Sequence, residues 1–259
     1  DSSLPLAWHA LGLAGGGEVG GEQHTPRHCC VRALTLDNDM GTAWNNLGHH
    51  GGGEVAGVHY SPQMCFQRAA DVDWSYALAW VNLGTCGGGV VKGEEQSEAV
   101  CYQRALELDD KDPAMAGAWY GLGCFGGSVV QGEVWRPTAC YERALAADPN
   151  HAKAWNNLGH EGGGTVREQF FSKKRCFERA LELDSSYALA WKNLGTEGGG
   201  YVSGEGYCSE KSCYERALTH DPGMALAWHG LGCVGGGRVA GRDHSQESCF
   251  AEAVSLDPG

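Results

Sequence analysis

Apolar residues recur along the chain in two kinds of block, and the pair of blocks repeats seven times. The first block ends on Trp-x-x-Leu-Gly, with its tryptophan at Trp8, Trp44, Trp80, Trp119, Trp155, Trp191 and Trp228. Trp and Leu three apart share one face of a helix, so each block predicts a short helix with a buried stripe, as over 186–195. Glycine triplets such as Gly51 to Gly53, Gly87 to Gly89 and Gly162 to Gly164 then stop it, because glycine takes left-handed angles at little cost. A Val-x-Gly stretch follows, as at Val55-Ala56-Gly57 and Val202-Ser203-Gly204, and predicts a small β-hairpin or wide turn.

The second block is Cys-aromatic-x-Arg-Ala-Leu, as at Cys140-Tyr141-Glu142-Arg143-Ala144-Leu145. Thr25, Ser61, Ser97, Ser172, Ser209 and Ser245 stand where an N-cap hydroxyl accepts a backbone N–H, and Pro26 and Pro62 follow at the first helical position. The fourth repeat has Arg136-Pro137, without the hydroxyl. Asp-Pro ends the block at Asp148-Pro149, Asp221-Pro222 and Asp257-Pro258. Tryptophan spacings are 36, 36, 39, 36, 36 and 37 residues. The long ones carry insertions near 109–113 and 206–208, both at predicted loops.

The predicted fold is mainly all-α: an α-solenoid, wound as a right-handed superhelix, of seven helix-turn-helix repeats with small Gly-rich β-hairpin connectors. It is read as one solenoid domain, 1–259, with repeats at about 1–36, 37–72, 73–108, 109–147, 148–183, 184–220 and 221–259. Trp44, Leu47, Phe66 and Ala69 are expected to form one core, repeated seven times.

Composition narrows the function. Hydrophobic content of 42% with nine tryptophans excludes a disordered chain, and the 41 glycines find their place in the repeated connectors. The formal charge of −13 argues against nucleic acid and anionic membrane as partners, and favours basic or neutral protein. No apolar run reaches the ~20 residues that span a bilayer. No signal peptide or starting Met is present, so localisation is not legible.

Candidate chemistry mostly dissolves into the repeat. Gly15-Gly16-Gly17-Glu18-Val19-Gly20-Gly21 is like a phosphate loop, but it recurs in every repeat and no Lys-Ser/Thr follows. Of twelve cysteines, Cys29, Cys65, Cys101, Cys140, Cys176, Cys213 and Cys249 hold one helical position and read as small buried thiols. Successive equivalents lie about a helix diameter apart, about 10 Å, beyond disulfide reach. Cys30, Cys86, Cys124, Cys208 and Cys233 lie off this ladder. Without Cys-x-x-Cys or paired helical histidines beside a carboxylate, no metal is predicted, nor any cofactor or catalytic residue. The Asp and Glu of Leu-Glu-Leu-Asp read as a solvated helix end.

Trp-x-x-Leu-Gly followed by Tyr-x-x-Ala-Leu-x-x-Asp-Pro resembles the tetratricopeptide motif across essentially the whole chain. That family's repeat is 34 residues. The Gly-Gly-Gly-x-Val-x-Gly insert here departs from it, and in length the repeat is similar to the Sel1-like repeat. The resemblance implies a concave groove lined by the residues just after each Trp: His9, Asn45, Asn46, Val81, Asn82, Tyr120, Asn156, Asn157, Lys192, Asn193 and His229. Asn46, Asn82, Asn157 and Asn193 match the family's common Asn, which either meets a ligand backbone or ties neighbouring helices. The carboxylate clamp of some relatives needs paired cations, and only Lys153 and Lys192 are near. Secreted Sel1-like relatives imply disulfides within a hairpin, which would join Cys86, Cys124 or Cys233 to a ladder cysteine.

Asp1-Ser2-Ser3 aligns with Asp184-Ser185-Ser186, and Leu256-Asp257-Pro258-Gly259 with His220-Asp221-Pro222-Gly223. Neither end carries a polar cap. The expectation is a longer array or head-to-tail stacking through Leu6, Trp8, Leu11, Leu256, Asp257 and Pro258. Two functions follow: a non-enzymatic scaffold for protein or peptide partners, or a structural fibre of stacked repeats.

Overall fold

The structure is a computed structural model, and it describes residues 4–258. Asp1-Ser2-Ser3 and Gly259, which enter the expected alignment of the two ends, lie outside the described residues. The chain divides into two compact units, Asp1–Arg136 and Pro137–Gly259.

The first unit runs α1 (Pro5–Leu13), β1 (Gly17–Val19), β2 (Glu22–His24), α2 (Pro26–Leu36), α3 (Gly41–His49), β3 (Gly53–Val55), β4 (Val58–Tyr60) and α4 (Pro62–Val72). It continues with α5 (Ala77–Thr85), β5 (Gly89–Val91), β6 (Glu94–Gln96), α6 (Glu98–Leu108), a 3-10 turn (Pro113–Met115), α7 (Ala116–Cys124), β7 (Ser128–Val130) and β8 (Glu133–Trp135). The second unit has α8 (Pro137–Ala147), α9 (Ala152–His160), β9 (Gly163–Val166), β10 (Gln169–Ser172), α10 (Lys173–Leu183), α11 (Ala188–Thr196), β11 (Gly200–Val202) and β12 (Gly206–Cys208). It closes with α12 (Glu210–His220), α13 (Ala225–Cys233), β13 (Gly237–Val239), β14 (Arg242–His244) and α14 (Gln246–Leu256).

The described residues thus form fourteen α-helices and seven two-stranded antiparallel sheets. Helices pair as predicted, α1 with α2, α3 with α4 and α5 with α6 in the first unit, and α9 with α10, α11 with α12 and α13 with α14 in the second. Within each unit the architecture is a helical-repeat solenoid. The two insertions fall in the 3-10 turn and in the turn between β11 and β12, where Val202 pairs with Gly206.

All six hydroxyl caps form, for example Ser172 accepting from the Arg175 N–H at 3.3 Å. First helices end as a 6→1 C-cap, with the Gly52 N–H on the Leu47 carbonyl at 2.9 Å and Gly51 at φ +85°. The hairpin then turns at Ala56-Gly57, both at positive φ, in the tight two-residue geometry.

Trp44, Leu47, Phe66 and Ala69 are buried, as are Trp155, Leu158, Phe177 and Ala180. Tryptophan rather than leucine stands at the repeated position for a polar reason. Its indole N–H donates to a loop carbonyl six residues back: Trp44 to Asn38 at 2.8 Å, Trp155 to Pro149 at 2.9 Å and Trp191 to Ser185 at 2.8 Å. Each large ring thereby fastens the preceding loop. In the fourth repeat the inserted residues move the acceptor to Asp110, nine back, at 3.4 Å.

The recurring Asp does more than face water. Asp184 Oδ1 accepts from the Ser186 N–H at 3.0 Å, and Asp73 and Asp221 repeat this Asx turn. The reason is local: helix α10 ends at Leu183, and the carboxylate of the Asp that follows satisfies the N–H two residues on.

Candidate binding face on the first helices

On a nine-residue first helix, the Trp and the Leu three residues later face the second helix. The positions two before, one after and five after the Trp share the opposite side, at i, i+3 and i+7. In the second unit these are Lys153, Asn156 and His160 on α9, Leu189, Lys192 and Thr196 on α11, and Leu226, His229 and Cys233 on α13. In the first unit α3 presents Thr42, Asn45 and His49, α5 presents Leu78, Val81 and Thr85, and α7 presents Gly117, Tyr120 and Cys124.

Charge is distributed unevenly. The chain has 32 Asp and Glu, yet none lies within α1, α3, α5, α7, α9, α11 or α13. Their ionisable side chains, thiols and phenol aside, are Lys153, Lys192, His9, His49, His160 and His229. Burial, and then the nearby Lys173 ammonium, pulls the Lys192 pKa below its ordinary value. Lys173 itself is paired with Glu197 at 2.7 Å.

The asparagines split into two roles. Asn193 Nδ2 donates to Asn156 Oδ1 at 2.8 Å, joining α11 to α9, and Asn156 in turn donates to Asn157 at 3.2 Å. In the first unit Asn82 Nδ2 donates to Asn45 Oδ1 at 2.8 Å and also lies 3.1 Å from His49 Nε2. Asn45 and Asn156 are only 3% and 2% exposed, so this rung is helix-to-helix glue. Asn46, Asn82, Asn157, Tyr120 and Lys192 are half-buried, Asn193 is buried and His229 is exposed. His229 lies 3.8 Å from the exposed Cys233 thiol.

Among the end-contact candidates, Leu6 is exposed and Leu11 half-buried, while Leu256, Asp257 and Pro258 are exposed. Trp8 is buried at 5% exposure because it packs on its own hairpin, its ring 4.9 Å from His24.

All seven ladder thiols are fully buried. Cys65, Cys101, Cys176 and Cys213 each donate to the carbonyl five residues back, at 3.8–4.0 Å, and so tie the second strand to the second helix. Burial pushes Cys176 and Cys213 up to about 12, so neither is a nucleophile at neutral pH. Cys86 and Cys233 sit exposed at first-helix ends and form no disulfide with the ladder.

The sequence pattern missed the links that fix one repeat on the next. Glu178 of α10 accepts the Tyr201 N–H at 2.9 Å, and Glu215 of α12 accepts the Arg238 N–H at 2.7 Å. Gln67 of α4 donates to the Val90 carbonyl at 3.2 Å. Each holds the following hairpin, and the third glycine of the triplet makes room for it. A methyl on Gly200 would stand 2.6 Å from Glu178, and one on Gly89 2.7 Å from Gln67. The fourth repeat has Ser128 there instead, and its hydroxyl bonds Gln103 at 3.3 Å. The Gln or Glu that recurs two residues after Cys65, Cys101, Cys140, Cys176 and Cys213 was the available signal.

Paired helices with a hairpin between them, recurring through both units, define a helical-repeat protein. No family model matches the chain. No curated protein matches it either. A solved structure described as YrrB, a TPR protein with an unusual peptide-binding site, is similar at 16% identity with a TM-score of 0.45, covering 78% of this chain and 97% of that one.

Proposed function

We propose that this chain is a non-enzymatic scaffold that holds an extended segment of another protein against its first helices. The observation that carries the reading is the exclusion of all 32 acidic residues from those helices in a chain of net charge −13. Carboxylates that only confer solubility would be scattered over every exposed face. Here one face is kept free of them and carries Lys153, Lys192, His160 and His229 beside the exposed Leu189 and Leu226. Cations with apolar side chains between them suit a neutral or acidic peptide, whose extended backbone half-buried amides such as Asn157 also satisfy. Partner-contact residues proposed on this basis are Asn46, Asn82, Tyr120, Asn157, Lys192 and His229, with Asn45, Asn156 and the buried Asn193 acting through the rungs.

The test is fluorescence anisotropy against arrayed 12-residue peptides of acidic, neutral and basic composition. Lys153→Glu with Lys192→Glu should weaken acidic and neutral binders at least tenfold while circular dichroism is unchanged. Binders indifferent to these changes would overturn the assignment of the face.

A second reading is stacking of copies end to end, favoured by exposed Leu4, Leu6 and Leu13 on and beside α1 and Val254 and Leu256 on α14. Sedimentation velocity separates the two, since a stacking chain gains mass with concentration and a scaffold alone does not.

A further inference from the structure

Beside the β9–β10 hairpin a cavity of about 300 Å³ opens to solvent, walled by Trp155, Val166, Arg167, Phe171, Arg175 and Arg179. Its floor is aromatic, the Trp155 and Phe171 rings lying 4.6 Å apart and inclined at 59°. Three guanidinium groups surround that floor, and among the described lining residues there is no carboxylate.

The guanidinium groups are held in place from behind. Arg167 Nε and Nη2 both donate to the Ala146 carbonyl, at 3.1 and 2.7 Å. Arg175 Nη1 donates to Glu178 at 3.3 Å and to Glu182 at 2.8 Å, and Arg179 Nη1 donates to Glu182 at 2.6 Å. Arg179 also lies over the Trp155 ring, 5.9 Å from its centroid. Each fork keeps further N–H donors, and a fork already oriented loses less entropy on binding an anion.

The arrangement is particular to the fifth repeat. The matching cavity beside β7–β8, about 270 Å³, keeps the aromatic pair as Trp119 and Trp135 but has Gln131 and Glu133 where Arg167 and Gln169 stand. In repeat register Ala139 stands at the position of Arg175, and no other repeat has Arg at both. A feature that packing required would recur with the repeat. Arg179 does recur, as Arg68 over Trp44 and Arg216 over Trp191, so what the packing of the repeat does not account for is the added pair Arg167 and Arg175.

We propose that this cavity binds an aromatic anion, a flat ring bearing a phosphate, with the ring against Phe171 and the anion between the arginine forks. Forked guanidinium donors match phosphate oxygens two at a time, and the half-buried Phe171 offers a face for the ring. The ligand is either a phosphotyrosyl side chain or a free aryl phosphate.

Isothermal titration calorimetry with phenyl phosphate, inorganic phosphate and phenol tests the site, and a phosphotyrosyl and a tyrosyl pentapeptide distinguish its source. Phenyl phosphate should bind at least tenfold more tightly than inorganic phosphate or phenol. Arg167→Gln with Arg175→Ala, which rebuilds the fourth repeat's residues, should lose at least tenfold. Should that variant unfold, the exposed Gln169→Glu, which brings in the carboxylate that the fourth repeat carries as Glu133, should weaken binding at least threefold on its own. A phosphotyrosyl peptide that binds more tightly than phenyl phosphate supports a side-chain ligand, and the reverse supports the free compound. Phenyl phosphate bound no more tightly than inorganic phosphate, or bound equally by folded variants, overturns the proposal.

Discussion

Glu178 Oε1 accepts a hydrogen bond from the Tyr201 backbone N–H at 2.9 Å, fixing the hairpin of one repeat to the second helix of the repeat before it. Glu178 is 8% exposed, and its other carboxylate oxygen meets Arg175 at 3.3 Å. Removing it leaves the part-buried Tyr201 N–H and the Arg175 guanidinium without this acceptor, so Glu178→Ala should cost about 1–2 kcal/mol in urea unfolding. A cost under about 0.5 kcal/mol would mean the hairpin is held by its own turn alone.

Two adjacent glycines should respond differently to the same substitution. Gly198, at φ +80°, has open space around it, so Gly198→Ala should cost about 1 kcal/mol for the left-handed backbone. At Gly199 a methyl would stand 2.2 Å from the Cys208 carbonyl oxygen. Gly199→Ala should exceed the roughly 1–3 kcal/mol of ordinary backbone strain, because a strand must move. Equal midpoints for the two variants in urea would refute this.

Trp155 is 2% exposed, lies against Phe171 and donates to the Pro149 carbonyl. Trp155→Ala should therefore cost about 3–5 kcal/mol, and Trp155→Phe, which loses chiefly the hydrogen bond, about 1–2 kcal/mol. Chemical denaturation of both variants checks the ratio.

The asparagine rung separates structure from binding. Asn193→Ala leaves Asn156 Oδ1 buried without its donor and should cost about 1–3 kcal/mol, whereas Asn156→Leu with Asn193→Leu should recover most of that. Peptide affinity measured on the stable double variant then reports whether the rung serves the face beyond positioning it.

Thiols give a prediction in pH. Cys65, Cys101, Cys176 and Cys213 are raised from an ordinary 9.0 to about 12 by burial. A raised folded value favours the neutral thiol, so this stability is complete below pH 9 and is lost as pH climbs from 9 toward 12. Unfolding free energy should fall steeply over that window, and replacing ladder cysteines by alanine should flatten it. At pH 8 a thiol reagent should reach Cys86, Cys124 and Cys233 in native protein, and at least seven more thiols only after denaturation.

What the sequence determined by itself is the local scheme of the repeat. Period, helix faces, N-caps, hairpins and insertions were all legible, because each repeat obeys the same local rules of capping, turn chemistry and apolar spacing. Local rules do not say which side chain of one repeat meets which backbone group of the next. Trp155 on the Pro149 carbonyl, Glu178 on Tyr201 and Asn193 on Asn156 join groups 6, 23 and 37 residues apart. Only stacking brings the last two pairs within reach. Asn45 and Asn156 show the limit most clearly: an amide one residue after Trp reads the same whether it faces a ligand or a neighbouring helix. Tertiary packing decided it, because a buried amide must find its partner within the protein.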